Sequence, residues 1–279
     1  MEGGIEMLVA AFLAKLGRLI FALAIVCLGV EHFFFAHFTE PSVPIIPWVP
    51  AYPWLAYLTG SFLIAAGLTI VSGKKVRPAA ILLGLLFLVC ELFIQVPKMV
   101  VHPLDLGIRT TAFETLAMCS SALMLACALR AAGSGLWKWD RILDPFLRSG
   151  RFLFAISAGV FGVDHFLLLS LIASLIPTWI PWHMFWAYFT GAAFIAAGAS
   201  IATKWFAPWG AILLGTMFGL WFVLLHSLRI VGVIPVAGAF HNPHEWSSAF
   251  IALGLCGGSW ICAWEYLVHA SPKHAHSGK

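Results

Sequence analysis

Eight apolar runs divide the chain, at roughly 11–38, 54–73, 78–97, 110–132, 150–172, 184–203, 208–231 and 245–268. Each approaches or exceeds the roughly 20 residues that a helix needs to cross a bilayer. A spanning helix satisfies its backbone hydrogen bonds within itself, which lipid demands, so the fold class is an all-α integral membrane protein. Composition agrees. Of 279 residues only 10% are charged, and the mean hydropathy is +0.95, whereas a soluble domain carries about 25% charged residues. The breaks between runs have local causes. Pro41, Pro44, Pro47, Pro50 and Pro53 keep the first connection out of helix. Lys74-Lys75-Val76-Arg77-Pro78 is a charged turn with proline at a helix start, and Gly133-Ser134-Gly135 opens a polar linker.

All but three of the sixteen Lys and Arg residues fall on one side of the predicted membrane; the exceptions are Lys98, Arg109 and Arg229. The positive-inside bias places both termini in the cytoplasm and the protein in the cytoplasmic (inner) membrane. Acidic Glu2 and Glu6, with no basic residue before them, make the start unlike a cleaved signal peptide. A clustered basic face is missing, which excludes nucleic acid as a partner class. The six cysteines, Cys27, Cys90, Cys119, Cys127, Cys256 and Cys262, all lie in apolar runs and read as packing residues.

The two halves repeat. Gly29-Val30-Glu31-His32-Phe33 matches Gly162-Val163-Asp164-His165-Phe166 at an offset of 133. From Trp48 onward the offset is 131: Tyr57 and Thr59-Gly60 match Tyr188 and Thr190-Gly191, and Ile64-Ala65-Ala66-Gly67 matches Ile195-Ala196-Ala197-Gly198. Carried to the last segment of each half, that offset pairs Glu114 with Glu245. Four segments per half is an even number, so the expected architecture is two tandem four-helix bundles in the same orientation. The boundaries are 1–133 for the first repeat, 134–149 for a cytoplasmic linker, 150–268 for the second repeat and 269–279 for a flexible tail.

Ionisable residues inside apolar segments are costly, so those present call for a role. The outer ends of the segments collect Glu31, His32, Tyr57, Gln95, Lys98 and Glu114 in the first half. The second half offers Asp164, His165, Tyr188, His226, Arg229 and Glu245. Each set holds a carboxylate, a histidine, a tyrosine, a basic residue and a second carboxylate, suited to binding a polar headgroup or relaying protons. Mutual pairing that holds the helices in register is the structural alternative. Lys98 is expected beside Glu114 or Glu31, and Arg229 beside Glu245 or Asp164. Within His241-Asn242-Pro243-His244-Glu245, His241 and His244 are weak metal candidates: the string lacks the H-E-x-x-H spacing, and Asn242 explains it as a helix cap. No metal ligand set is assigned.

Gly17-Arg18, Gly29, Tyr57-x-Thr59-Gly60 and Pro243-His244-Glu245-Trp246 resemble the motifs of DoxX-like membrane proteins. The first half departs from the last motif, reading Ala112-Phe113-Glu114-Thr115. The resemblance covers both halves. It implies a redox-associated membrane subunit that interacts with a quinone or another small molecule, in contact with the lipid bilayer and with a membrane or periplasmic redox complex. Quinone is then the candidate cofactor. A non-catalytic scaffold or assembly factor and a small-solute transporter are the alternatives. Whether the chain is an enzyme is not readable from these residues.

Overall fold

The computed structural model describes residues 2–36, 53–131, 140–236 and 238–270. They are all-helical, without a strand, and eight helices are long and apolar enough to cross a membrane. These are α1 (Glu2–Phe35), α2 (Pro53–Ser72), α3 (Val76–Val101), α4 (Leu106–Ala131), α5 (Asp140–Leu167), α6 (His183–Thr203), α7 (Ala207–Ile230) and α8 (Pro243–Ala270). A short helix, Leu169–Leu175, follows α5 after a break at Leu168. Two boundaries differ from expectation. Much of the anticipated linker is helix, because α5 starts at Asp140 and its first turns carry the Asp144–Arg148 pair at i, i+4 spacing. The anticipated tail begins inside α8, which runs to Ala270; residues 271–279 lie outside the described residues, as do Trp48 and the prolines at 41–50.

Helices α4 and α8 form the centre. Their spanning windows are 72% and 67% buried, against 28–44% for the other six. Small residues permit this: Gly258 on α8 meets Ser121 on α4, and Gly254 meets Met118. In lipid, where apolar side chains gain nothing by leaving solvent, such close backbone approach is the main source of helix association. A Cβ on Gly257 would stand 2.7 Å from the Gly17 carbonyl oxygen, so α1 lies directly on α8 there.

Neither half closes upon itself. The first helix of each half packs along the last helix of the other, α1 on α8 and α5 on α4. The same contacts occur twice. Gly29 and Gly60 bring α1 against α2 as Gly162 and Gly191 bring α5 against α6. Gly17 meets Gly257, Trp260 and Ile261, while Gly150 meets Ser120, Leu123 and Met124. The turn after α2 has left-handed Gly73 and Lys75; the turn after α6 has left-handed Lys204 and Phe206, at offset 131. Both α3 and α7 widen into one π-helical turn, Glu91–Gln95 and Phe222–His226, again at offset 131.

The contacts correct one register. Ser120, Leu123 and Met124 take the places of Gly257, Trp260 and Ile261, an offset of 137. Gly84 packs on Leu123, and Gly215 on Trp260. Glu114 therefore corresponds to Ile251, and Glu245 to Ile108. The extra six residues sit in the connection between α7 and α8, which is longer than that between α3 and α4.

Candidate functional site: a polar cavity in the first half

Call the membrane side of Glu2 and Ala270 the terminal face, and the other the far face. Near the far face the first half encloses a cavity of about 400 Å³, within the range of small-molecule sites. Helices α1 to α4 supply its wall, and α8 closes it from the other half. Its apolar part is Leu28, Leu63, Phe87, Cys90, Ile94 and Met118. Its polar part includes His32, Thr59, Gln95, Lys98, Thr111 and Glu114. The π-turn of α3 matters here. Such a turn rotates the following residues relative to an α-helix and is frequent at functional sites. Gln95 closes the turn and Lys98 follows it, and both line the cavity.

The hydrogen bonds fix several roles. His32 Nδ1 lies 2.7 Å from the Leu28 carbonyl oxygen, so it carries the ring proton and leaves Nε2 as an acceptor in the neutral imidazole. Thr115 Oγ1 donates to the Thr111 carbonyl (3.1 Å) and accepts a long bond from Gln95 Nε2 (3.4 Å). That orients the amide and leaves Gln95 Oε1 buried without a hydrogen bond. Glu91 opens the same π-turn, is buried, and its Oε2 also accepts no hydrogen bond.

The second half is built on the same plan and is filled. At the positions of Leu28, Leu63 and Cys90 stand Phe161, Phe194 and Trp221. Phe161, Phe194 and Phe218 meet edge to face at 5.3–6.5 Å. His165 repeats the tautomer of His32, with Nδ1 2.8 Å from the Phe161 carbonyl oxygen. Its ring is wedged against Phe194 at 5.0 Å and Trp221 at 6.1 Å, and its Nε2 is buried and unpartnered. His226 Nδ1 is likewise buried without a partner. A groove of about 880 Å³ does lie between α6 and α7, walled also by Ile176, Pro177, Trp179 and Ile180, but its lining, with Ala193, Ala197, Leu213 and Met217, is almost wholly apolar.

The remaining candidate residues take structural places. Arg229 donates from Nε to Glu245 Oε2 (2.9 Å) and from Nη2 to Oε1 (2.6 Å), a bidentate pair with side chains 17% and 9% exposed. This is the pairing expected for Arg229; the other carboxylate offered to it, Asp164, is taken by Arg109, with Thr110 donating to its Oδ2 at 3.0 Å. Glu31, the counterpart of Asp164, accepts from the Ser247 hydroxyl. Ser247 and Thr110 are themselves counterparts at offset 137, so each half latches its first helix to the other half's last one. Lys98, with Glu114, belongs to the cavity lining.

Tyr57 and Tyr188 are 40% and 49% exposed and rest on Phe33 and Phe166, outside the cavity. His241 ends a 3-10 turn against Phe240. His244 lines the first-half cavity, and the Asn242 side chain caps its backbone N–H at 3.0 Å. The sequence reading passed over Asp105, Thr111, Thr115, Ser247 and Ser248, all in the lining. The hydroxyl pairs Thr110-Thr111 and Ser247-Ser248 were visible signals for them. In comparisons with known proteins, no family model, curated protein or solved structure matches the chain.

Proposed function

We propose that this chain is a redox-associated membrane subunit that binds a small molecule with a quinone-like polar head in the cavity of its first half. The observation that carries the reading is the cavity itself: hydrogen-bonding side chains on a largely half-buried wall, over an apolar base, inside a lipid-embedded bundle. Ionisable and polar residues gathered within membrane-spanning helices are costly and mark candidate functional sites. The motifs that resemble DoxX-like proteins support the redox association and a partner redox complex. The basic residues of the terminal face support a cytoplasmic location for it, in the inner membrane.

The scaffold reading has its own support, confined to the second half. There aromatic rings fill the corresponding space, and Arg229 is spent on Glu245.

The test is to extract the protein from its native membrane with mild detergent and identify co-purifying quinones by mass spectrometry, beside a Leu63→Trp variant. Quinone carried by the wild type and lost from the variant supports the proposal. A wild-type preparation that neither carries quinone nor binds it when added overturns it. For the topology, a cysteine placed at Lys74 should resist an impermeant thiol reagent applied to intact cells; labelling there would reverse the assigned orientation.

A further inference from the structure

At the terminal face each half carries two cations at matching places on its first helix, Lys15 and Arg18 on α1 and Arg148 and Arg151 on α5, at offset 133. In the second half the fold neutralises them. Arg148 donates from Nε to Asp144 Oδ2 at 2.9 Å, and Arg130 joins the same carboxylate. Arg151 lays its guanidinium over the rings of Phe152 at 5.0 Å and Tyr266 at 5.8 Å, and the buried Glu265 interacts with its charge. The first half lacks these partners. At the offsets of their helices, Asp144 corresponds to Ala11, Phe152 to Leu19, Glu265 to Ala128 and Tyr266 to Leu129. The turn after α2 then adds charge where the second half has rings, since Lys74 and Lys75 stand at the positions of Trp205 and Phe206.

The Arg18 guanidinium reaches that turn: a Cβ on Gly73 would stand 3.9 and 4.0 Å from its Nη2 and Nη1. Its Nε is buried without a hydrogen bond. Lys15, Lys74 and Lys75 are exposed. Among the described residues, none of these four side chains forms an ion pair. Glu6, the nearest acid before Lys15 on α1, is about 13 Å away along the helix axis, farther than a screened surface charge acts. On the membrane side of the turn, Leu68 and Val71 in the last two turns of α2 are exposed.

From this contrast between halves we infer that the first half's terminal face binds the phosphate of an anionic phospholipid. Arg18 supplies the planar fork that matches two phosphate oxygens. Lys15, Lys74 and Lys75 surround it, and the acyl chains run along the apolar surface of α2. That surface is what favours a lipid over a free anion. The site lies at the opposite end of the bundle from the cavity and does not depend on the cavity's ligand.

The experiment uses the full chain in detergent, titrated with phosphatidylglycerol or with phosphatidylcholine of the same acyl chains, and counts bound lipid by native mass spectrometry. The wild type should retain phosphatidylglycerol roughly tenfold more strongly, as a few interfacial cations supply. Arg18→Gln with Lys74→Gln and Lys75→Gln should bring that ratio close to one. Arg148→Gln, in the neutralised second half, should change it less than about twofold. Each variant is read as a ratio of two lipids on one preparation, so a misfolded fraction lowers both and does not imitate the effect. A wild-type ratio near one, or an equal fall in Arg148→Gln and in the triple variant, overturns the inference. Displacement of the lipid by inorganic phosphate, but not by chloride of equal ionic strength, also overturns it and makes the cations a site for a free anion.

Discussion

The two halves share a backbone plan down to their left-handed turn residues and the π-turns of α3 and α7, yet one holds a polar cavity and the other a plug of aromatic rings. Three replacements account for most of the filling: Leu28, Leu63 and Cys90 in the first half stand where the second has Phe161, Phe194 and Trp221. Two more remove polarity, since Glu114 and Thr115 correspond to Ile251 and Ala252. The groups retained in both halves, His32 and His165 or Thr59 and Thr190, sit on the same framework and do different work. His165 is boxed in by rings; His32 borders open space. A repeated polar set thus identifies a framework, while the residues packed around it decide whether that framework is a site.

That difference can be broken by transplanting it. The largest effect is expected from Leu28→Phe, Leu63→Phe and Cys90→Trp together, which give the first half the second half's filling. Ligand binding measured by titration should fall more than a hundredfold. Thermal stability should hold nearly level, because the same backbone already accommodates these rings in the second half.

Next in size is the ion pair that the second half keeps and the cavity does not need. Arg229→Met alone strands Glu245 in a nearly buried setting, and breaking such a pair costs about 3–5 kcal/mol. The double change Arg229→Met with Glu245→Gln should cost less than either single change in folded yield and in detergent unfolding. Equal, additive losses would show that the pair carries no coupling. Binding at the first-half cavity should survive the double change.

The reverse transplant is gentler. Phe161→Leu, Phe194→Leu and Trp221→Cys together should open a second cavity and raise the ligand count per chain from one to two. The stability loss should be about 1–3 kcal/mol for each ring removed, set by how far the site collapses. A count that stays at one would mean that the acceptors lost with Glu114 and Thr115 matter more than space.

The smallest effect concerns the latches between halves. Ser247→Ala and Thr110→Ala each remove one hydrogen bond to a carboxylate, a change of about 1.5–3 kcal/mol at most. In Thr110→Ala, Arg109 still holds Asp164, so that latch should loosen rather than open. A loss well above about 3 kcal/mol in chemical unfolding would contradict this.

Much of this was legible in the residues. Apolar length gave the eight helices, and proline and charged turns gave their ends. The outer-end polar set contained His32, Gln95, Lys98 and Glu114, all now in one lining. The offset of 131 that pairs Glu114 with Glu245 does not hold for α4 and α8; there Thr110-Thr111-Ala112-Phe113 corresponds to Ser247-Ser248-Ala249-Phe250. The hydroxyl and Ala-Phe match, continued by Cys119 and Cys256, carries the packing. A charge on a helix end is set by its immediate partner, whereas small and aromatic residues are set by the helix they touch. The Arg109–Asp164 pair was hidden because it crosses between halves. The choice of the first half as the open one depends on side-chain volume at three positions, which a scan for polar residues does not weigh.

Photo-crosslinking tests the asymmetry most directly. A benzoquinone carrying a small diazirine is irradiated with the wild-type protein in nanodiscs, and adducts are mapped by peptide mass spectrometry. Adducts should concentrate on α3 and α4 around Gln95 and Thr115, with α8 around Ser248 as the only second-half peptide modified, and unlabelled quinone should compete them away. Competable adducts at Phe194 or Trp221, in equal or greater yield than those at Gln95, would contradict the account.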